Sequence, residues 1–234
     1  MRQIFLDTET TGLNAEGGDR IVEIGCIEML NRRLSGNNRH YYLNPQRPSH
    51  PDALRVHGLT EDFLADKPLF AAVADELLEY LQGAEVIIHN AAFDVGFLDQ
   101  ELQRLNRGRF DACCAQVTDS LSLARELFPG KSNSLDALCR RLEVDNSSRT
   151  LHGALLDAGL LAEVWIRLTR GQKSLVIDVG DEQPGSLAHG ERVDLSAFTL
   201  PVLLASREES AAHQSLLVEL DKASGGKAVW RPMA

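Results

Sequence analysis

Residues 4–12, IFLDTETTG, close an apolar run with two acids, and this pairing restricts how the chain folds more than any other stretch. Ile4, Phe5 and Leu6 are β-prone. Asp7 and Glu9 follow two residues apart, so on a strand both carboxylates project from one face. Strand interiors are poor in Asp and Glu, and a charge taken out of water is costly unless something positive holds it. At about 4 Å two such charges repel by roughly 4 kcal/mol at an effective dielectric of 20. A divalent cation with oxygen ligands relieves that repulsion. The competing reading is an exposed strand end with two solvated acids.

The chain of 234 residues, 44% hydrophobic and 25% charged, has room for one ordinary globular domain with a small appendage. It contains no uncharged apolar run of membrane-spanning length, and the N-terminus turns acidic at Asp7 without a signal-peptide core, so a cytoplasmic protein with no membrane contact is expected. Cys26, Cys113, Cys114 and Cys139 show no CxxC pairing and no matching histidine spacing, which predicts reduced thiols rather than zinc or disulfides. The net charge of −10 argues against nucleic-acid binding by bulk electrostatics. That objection is overruled only if metals neutralise the site and a partner supplies most of the affinity.

Along the chain, Thr10, Thr11 and Gly12 make a tight exit, 14–19 reads as a loop, and 20–30 and 40–43 read as strands, giving an antiparallel meander. Three prolines make 44–51 a loop, and Thr60 is a good N-cap. Apolar residues at helical spacing predict an amphipathic helix over 69–81, followed by a buried strand over 85–89. Asn90 is placed to cap a helix running from Ala91 to about Leu105. Two further helices cover 119–128, stopped by Pro129 and Gly130, and 134–142, opened by Ser132, Asn133 and Ser134.

Two more acids fall on apolar helical stripes. Asp94 shares one with Phe97, Leu98, Glu101 and Leu105, and Asp157 shares one with Ala154, Ala158, Leu161 and Trp165. Asp94 reads either as a ligand or as an acid favoured by the helix macrodipole. His152, five residues before Asp157, belongs on the loop entering that helix. There it reads either as a mobile general base or as a capping or packing histidine. Taken together, four carboxylates sharing one cleft require cations, and two divalent metals would clamp both attacking and leaving oxygens of a phosphodiester.

In their order, DTETTG, HNAAFDVGFL and HGALLDA resemble the three motifs of the DEDD exonuclease superfamily in its histidine form, over residues 2–170. The resemblance implies an α/β, ribonuclease H-like fold with a mixed five-stranded sheet flanked by helices. It also implies removal of nucleotides one at a time from a 3′ end with two Mg²⁺ or Mn²⁺ ions. By motif position Asp7, Glu9, Asp94 and Asp157 would be metal ligands and His152 the general base. Asp52 and His57, with Asp7, Glu9 and Asp157, would touch the terminal nucleotide.

Within the superfamily the chain is most similar to the bacterial replicative proofreading subunits, through NRRLSGNN, FPGKSNSLDALC and its last residues. That likeness divides the chain into an exonuclease domain (1–170), a flexible tether (171–190) and a small C-terminal docking segment (191–234). It implies a sliding clamp held by Gln172, Leu175 and Ile177, although 175–179 reads equally as a packed strand. It further implies docking of the last segment on the polymerase's catalytic (alpha) subunit, a small accessory (theta) subunit as a further candidate, and a single-stranded or frayed DNA 3′ end as substrate. In that segment 199–205 is apolar, 208–222 helical and 228–230 apolar again, too little to fold alone without a surface to dock on. The alternatives are an RNA-trimming relative such as ribonuclease T or oligoribonuclease, and a non-catalytic scaffold for polymerase and clamp.

Overall fold

A computed structural model describes residues 1–147, 149, 151–170 and 205–225. The chain divides into two units, Met1–Ile177 and Asp178–Ala234. The first unit begins with strands β1 (Arg2–Thr10), β2 (Ile21–Leu30), β3 (Arg33–Leu34) and β4 (Arg39–Tyr42). Helices α1 (Pro51–His57), α2 (Glu61–Leu64) and α3 (Phe70–Leu81) follow, then β5 (Glu85–Ile88) and α4 (Ala91–Arg104). A single 3-10 turn (Phe110–Cys113) leads to β6 (Gln116–Asp119), α5 (Ser120–Leu127), α6 (Leu135–Leu142) and α7 (Ala154–Leu168).

The sheet has six strands rather than the expected five. β1 pairs antiparallel with β2, while β1, β5 and β6 run parallel. β3 and β4 share the outer edge of β2, one opposite Met29 and Leu30 and the other opposite Glu23–Cys26, so the sheet is five positions wide. On one face Ile4, Leu6 and Val86 pack with Val73 and Leu77 of α3 and Phe97 and Leu98 of α4. On the other, Phe5 and Ile87 pack with Ala158, Leu161 and Trp165 of α7, the Phe5 and Trp165 rings meeting edge to face at 6.4 Å. The carboxylate of Glu101 on the apolar stripe of α4 is accounted for by Arg20, whose Nε and NH2 donate to its two oxygens at 2.6 and 2.7 Å.

Several local expectations need correction. Pro51 does not end a loop but opens α1 at its first turn, where the missing proline N–H costs nothing, and Gly58 closes the helix in the left-handed conformation. β6 carries Gln116, Thr118 and Asp119 and lies half-exposed at the sheet edge, so it lacks the apolar run that marks an inner strand. Asn90 stands at the N-cap position of α4, yet its side chain makes no cap hydrogen bond; its φ of 72° is the left-handed conformation that Asn tolerates. Thr60 and Ser134 do cap α2 and α6, accepting from Phe63 and Ala137 N–H at 3.3 Å each. All four cysteines are free.

In the second unit the described element is α8 (Arg207–Ala223), opened by a capping box between Ser206 and Glu209 and burying none of its residues. The tether, residues 199–204 and 226–234 lie outside the described residues, as do Gln172, Leu175 and Ile177.

The position of α7 depends on Gly25. A Cβ there would stand 2.2 Å from the backbone carbon of Ala154 and the nitrogen of Leu155, in the first turn of α7. Gly25→Ala is therefore expected to cost at least about 1–3 kcal/mol through overpacking. Chemical denaturation checks this; an unchanged midpoint would show that α7 can retreat from the sheet without loss.

Candidate active site

Parallel pairing of β1 with β5 sets the site. Phe5 lies opposite Ile87, β5 ends one residue later, and α4 starts at Ala91, so the first turn of α4 stands beside the C-terminal half of β1. Asp94 is in that turn, buried, and its Oδ1 accepts a hydrogen bond from Thr8 Oγ1 at 2.6 Å. Strand alternation puts Asp7 and Glu9 on the face of Phe5, which is the face α7 covers. Asp157 occupies the first turn of α7, buried among the residues that pack on the sheet. His152 precedes that helix on an exposed loop, tied by its N–H to the carbonyl of Val56 at 3.0 Å.

These residues share one cleft of about 640 Å³, lined by Asp7, Glu9, Asp94, His152 and Asp157 together with Arg149. Ligand atoms of Glu9, His152 and Asp157 all lie within 4.8 Å of one another. Crowding of like charges away from water shows in the acidities. Burial, then Asp157 and Glu23, pushes the Glu9 carboxyl up to about 8, against a partial counter-effect of Arg149. Burial pushes Asp94 up to about 7, opposed by the Thr8 hydrogen bond. Asp7 is raised well above its usual range by burial and then by Asp94, Glu9 and Asp157. A set of carboxylate oxygens crowded together with one imidazole suits a hard divalent cation.

Arg149 is the residue that sequence reasoning overlooked. Its Nε and NH2 donate to the two oxygens of Asp157 at 2.6 and 2.5 Å, its NH1 to Asp136 Oδ1 at 2.7 Å, and its NH2 lies 2.8 Å from His152 Nδ1. The available signal was weak, a single cation in the loop just before His152 and eight residues from its carboxylate partner.

Asp52 and His57 fall elsewhere. They line a second cleft of about 860 Å³, which shares Thr8, Glu9 and Phe93 with the first. Asp52 is exposed and paired with Arg55. His57 is buried; its Nδ1 accepts from Leu59 N–H at 2.9 Å, while its Nε2 is buried without a hydrogen-bond partner. Burial lowers its pKa, against the opposing effects of Glu23 and the Thr10 backbone, so the ring is neutral near pH 7.

Comparison with known proteins gives a family profile described as Exonuclease, matching residues 4–165. Curated relatives are DNA polymerase III subunit epsilon of Salmonella typhimurium, 53% identical over 98% of this chain and 97% of that protein, and of Escherichia coli, 52% identical with the same coverage. The subunit of Rickettsia felis is 45% identical over 95% of this chain and 98% of that protein. Among solved structures, exonuclease X in complex with 5′ overhanging duplex DNA is 27% identical, with a TM-score of 0.55 over 71% of this chain and 90% of that one. The zinc-bound complex of Escherichia coli exonuclease I with single-stranded DNA, 18% identical, has a TM-score of 0.66 over 74% of this chain and 41% of that one. At that identity the likeness is one of fold.

The raised carboxyls make stability depend on pH. Above the ordinary value of 4.5 for Glu9 and up to about 8, the folded protein holds protons that the unfolded chain has released, so stability falls as pH rises. Asp94 acts the same way from 3.8 to about 7. His57 and His89, both lowered by burial, act in the opposite sense up to their ordinary 6.5. In EDTA the thermal midpoint should therefore drop between pH 6.5 and about 8, and saturating Mn²⁺ should diminish that drop by taking the place of the protons. A midpoint in EDTA that stays level or climbs over this interval would contradict the charge crowding.

Proposed function

The chain belongs to the exonuclease family, among the DNA polymerase III epsilon subunits, and from that premise we propose that it is the proofreading 3′-to-5′ exonuclease of a replicative DNA polymerase. The observation that carries the reading is the meeting of Asp7, Glu9, Asp94, His152 and Asp157, from β1, α4, α7 and the loop before α7, in one cleft. Such an assembly is unneeded in a mere scaffold.

Asp7, Glu9, Asp94 and Asp157 would hold two divalent metal ions, Mg²⁺ or Mn²⁺. When bound, these ions neutralise the phosphodiester and lower the pKa of water. His152, exposed and carried on a loop, accepts the proton of the attacking water. The water oxygen bonds to phosphorus as the bond from phosphorus to the preceding 3′ oxygen breaks, releasing a nucleoside 5′-monophosphate and leaving a new 3′ hydroxyl. Thr8 holds the Asp94 carboxylate beside β1. The adjoining second cleft takes the terminal nucleotide, with His57 Nε2 as a buried polar contact and Asp52 at the rim. Mispaired ends are favoured because an unpaired terminus costs less to separate from its template.

Residues 1–170 form the catalytic domain in this reading, 171–190 a tether whose Gln172, Leu175 and Ile177 engage the sliding clamp, and 191–234 the segment that binds the polymerase alpha subunit. α8 exposes Leu216, Val218 and Leu220 for that purpose. A theta-type accessory subunit is a further candidate partner. Tethering answers the charge of −10, because a high effective concentration at the primer end replaces intrinsic DNA affinity. The work is done in the cytoplasm, where the replicating chromosome lies. Among the described residues no helix is long and apolar enough to cross a membrane.

Asp7→Ala and Asp157→Ala should each abolish metal-dependent hydrolysis of a mismatched primer while polymerase pull-down persists; full activity in either would remove its metal role. His152→Ala should lower kcat roughly 10²- to 10⁴-fold, the usual size of general-base effects. Deleting residues 195–234 should spare degradation of free single-stranded DNA and eliminate polymerase association. Association that survives the deletion would place the docking surface elsewhere in the chain.

A further inference from the structure

We infer that Arg149 is an internal counter-ion that a divalent metal must displace from Asp157, and that it thereby sets the metal affinity of the site. The inference rests on the reading of Asp157 as a metal ligand. Arg149 is 7% exposed at its side chain, against 4% for Asp157. Its guanidinium spans both oxygens of that carboxylate at 2.6 and 2.5 Å, the two-pronged geometry in which an arginine holds a carboxylate most firmly. A dication on the same two oxygens would face a fixed positive charge in contact with its own ligand. Guanidinium and metal therefore exclude each other at Asp157.

Two further contacts make this an exchange rather than a simple block. NH1 donates to Asp136 at 2.7 Å, and Asp136 lies on α6, outside the four acids assigned to the metals. Asn146 also donates to the same Asp136 oxygen at 3.0 Å, fixing that carboxylate in place. A guanidinium released from Asp157 thus keeps an anchor beside the cleft. Meanwhile NH2 stands 2.8 Å from His152 Nδ1, and because arginine only donates, Nδ1 must accept. A neutral imidazole has one accepting nitrogen, so this contact uses the lone pair that a general base needs. Departure of Arg149 from Asp157 frees the ligand and the base in one movement.

The test is titration of the full-length, metal-free protein with Mn²⁺ alone, followed by calorimetry and by the electron paramagnetic resonance of free Mn²⁺. Arg149→Met should bind Mn²⁺ about tenfold more tightly or better, the fold-change expected when a charge-assisted contact no longer has to be broken. Arg125 lines the same cleft without a contact to Asp157, so Arg125→Met reports the general loss of one positive charge and should change affinity less than about threefold. Arg149→Lys keeps the charge but not the fork and should fall between wild type and Arg149→Met; it carries the test if the methionine variant does not fold by circular dichroism. Affinity in the Arg149 variants no tighter than in Arg125→Met overturns the counter-ion. Asp157→Asn separates the two layers. Unaltered Mn²⁺ binding there overturns the ligand reading itself, whereas lost binding there with no gain in the Arg149 variants overturns the counter-ion alone.

Discussion

Repulsion among carboxylates crowded into a partly desolvated cleft is the constraint on which the rest of this structure depends. Glu9, Asp94 and Asp157 are all buried, and the pKa values of Glu9 and Asp94 are raised by loss of water before any neighbour is counted. Without relief such a cluster would drive its own elements apart. The fold relieves it in several small ways. Asp94 and Asp157 both sit in the first turns of helices, where the unpaired N–H groups favour negative charge. Thr8 donates to Asp94, and Arg149 covers Asp157. None of these removes the repulsion among Asp7, Glu9 and their partners, which is why the arrangement suits divalent cations.

Bringing the acids together is a backbone problem solved before any side chain is placed. β5 runs parallel to β1 and ends beside its middle, and the helix that follows β5 starts there, against the C-terminal half of β1, where the open crevice of a parallel sheet lies. On the other face α7 comes so close to β2 that only a glycine at position 25 leaves room, and this closeness carries Asp157 to the acids of β1. The partly buried Arg20–Glu101 pair holds α4 to the segment entering β2, on the helix that bears Asp94. Stability and site geometry therefore share the same contacts.

Much of this was legible in order along the chain. The alternation of Phe5, Asp7 and Glu9 announced two acids on one strand face, and the apolar stripes of α4 and α7 each announced an inward carboxylate. Helix α1 was hidden because Pro51 resembles a breaker, although at a first turn it is a starter. Strand β6 was hidden because an edge strand has no need of an apolar run. Arg149 was hidden for a different reason. Nothing in SSRTLHG tells whether an arginine faces water or folds back onto an acid eight residues later.

What the residues determined by themselves was the inventory: which acids lie on which faces, and which histidine precedes the last helix on a loop. Periods of two and of 3.6 residues are local properties, set by backbone geometry within a few residues, so they can be read without a fold. Which faces meet was decided only in three dimensions. The second cleft around His57 and the six-stranded sheet with two short strands on one edge arise from long-range pairing and packing, and the grip of Arg149 on Asp157 depends on how the loop before α7 folds back over that helix. No local pattern encodes such contacts, because each depends on free energy shared between segments whose approach only the packed fold sets.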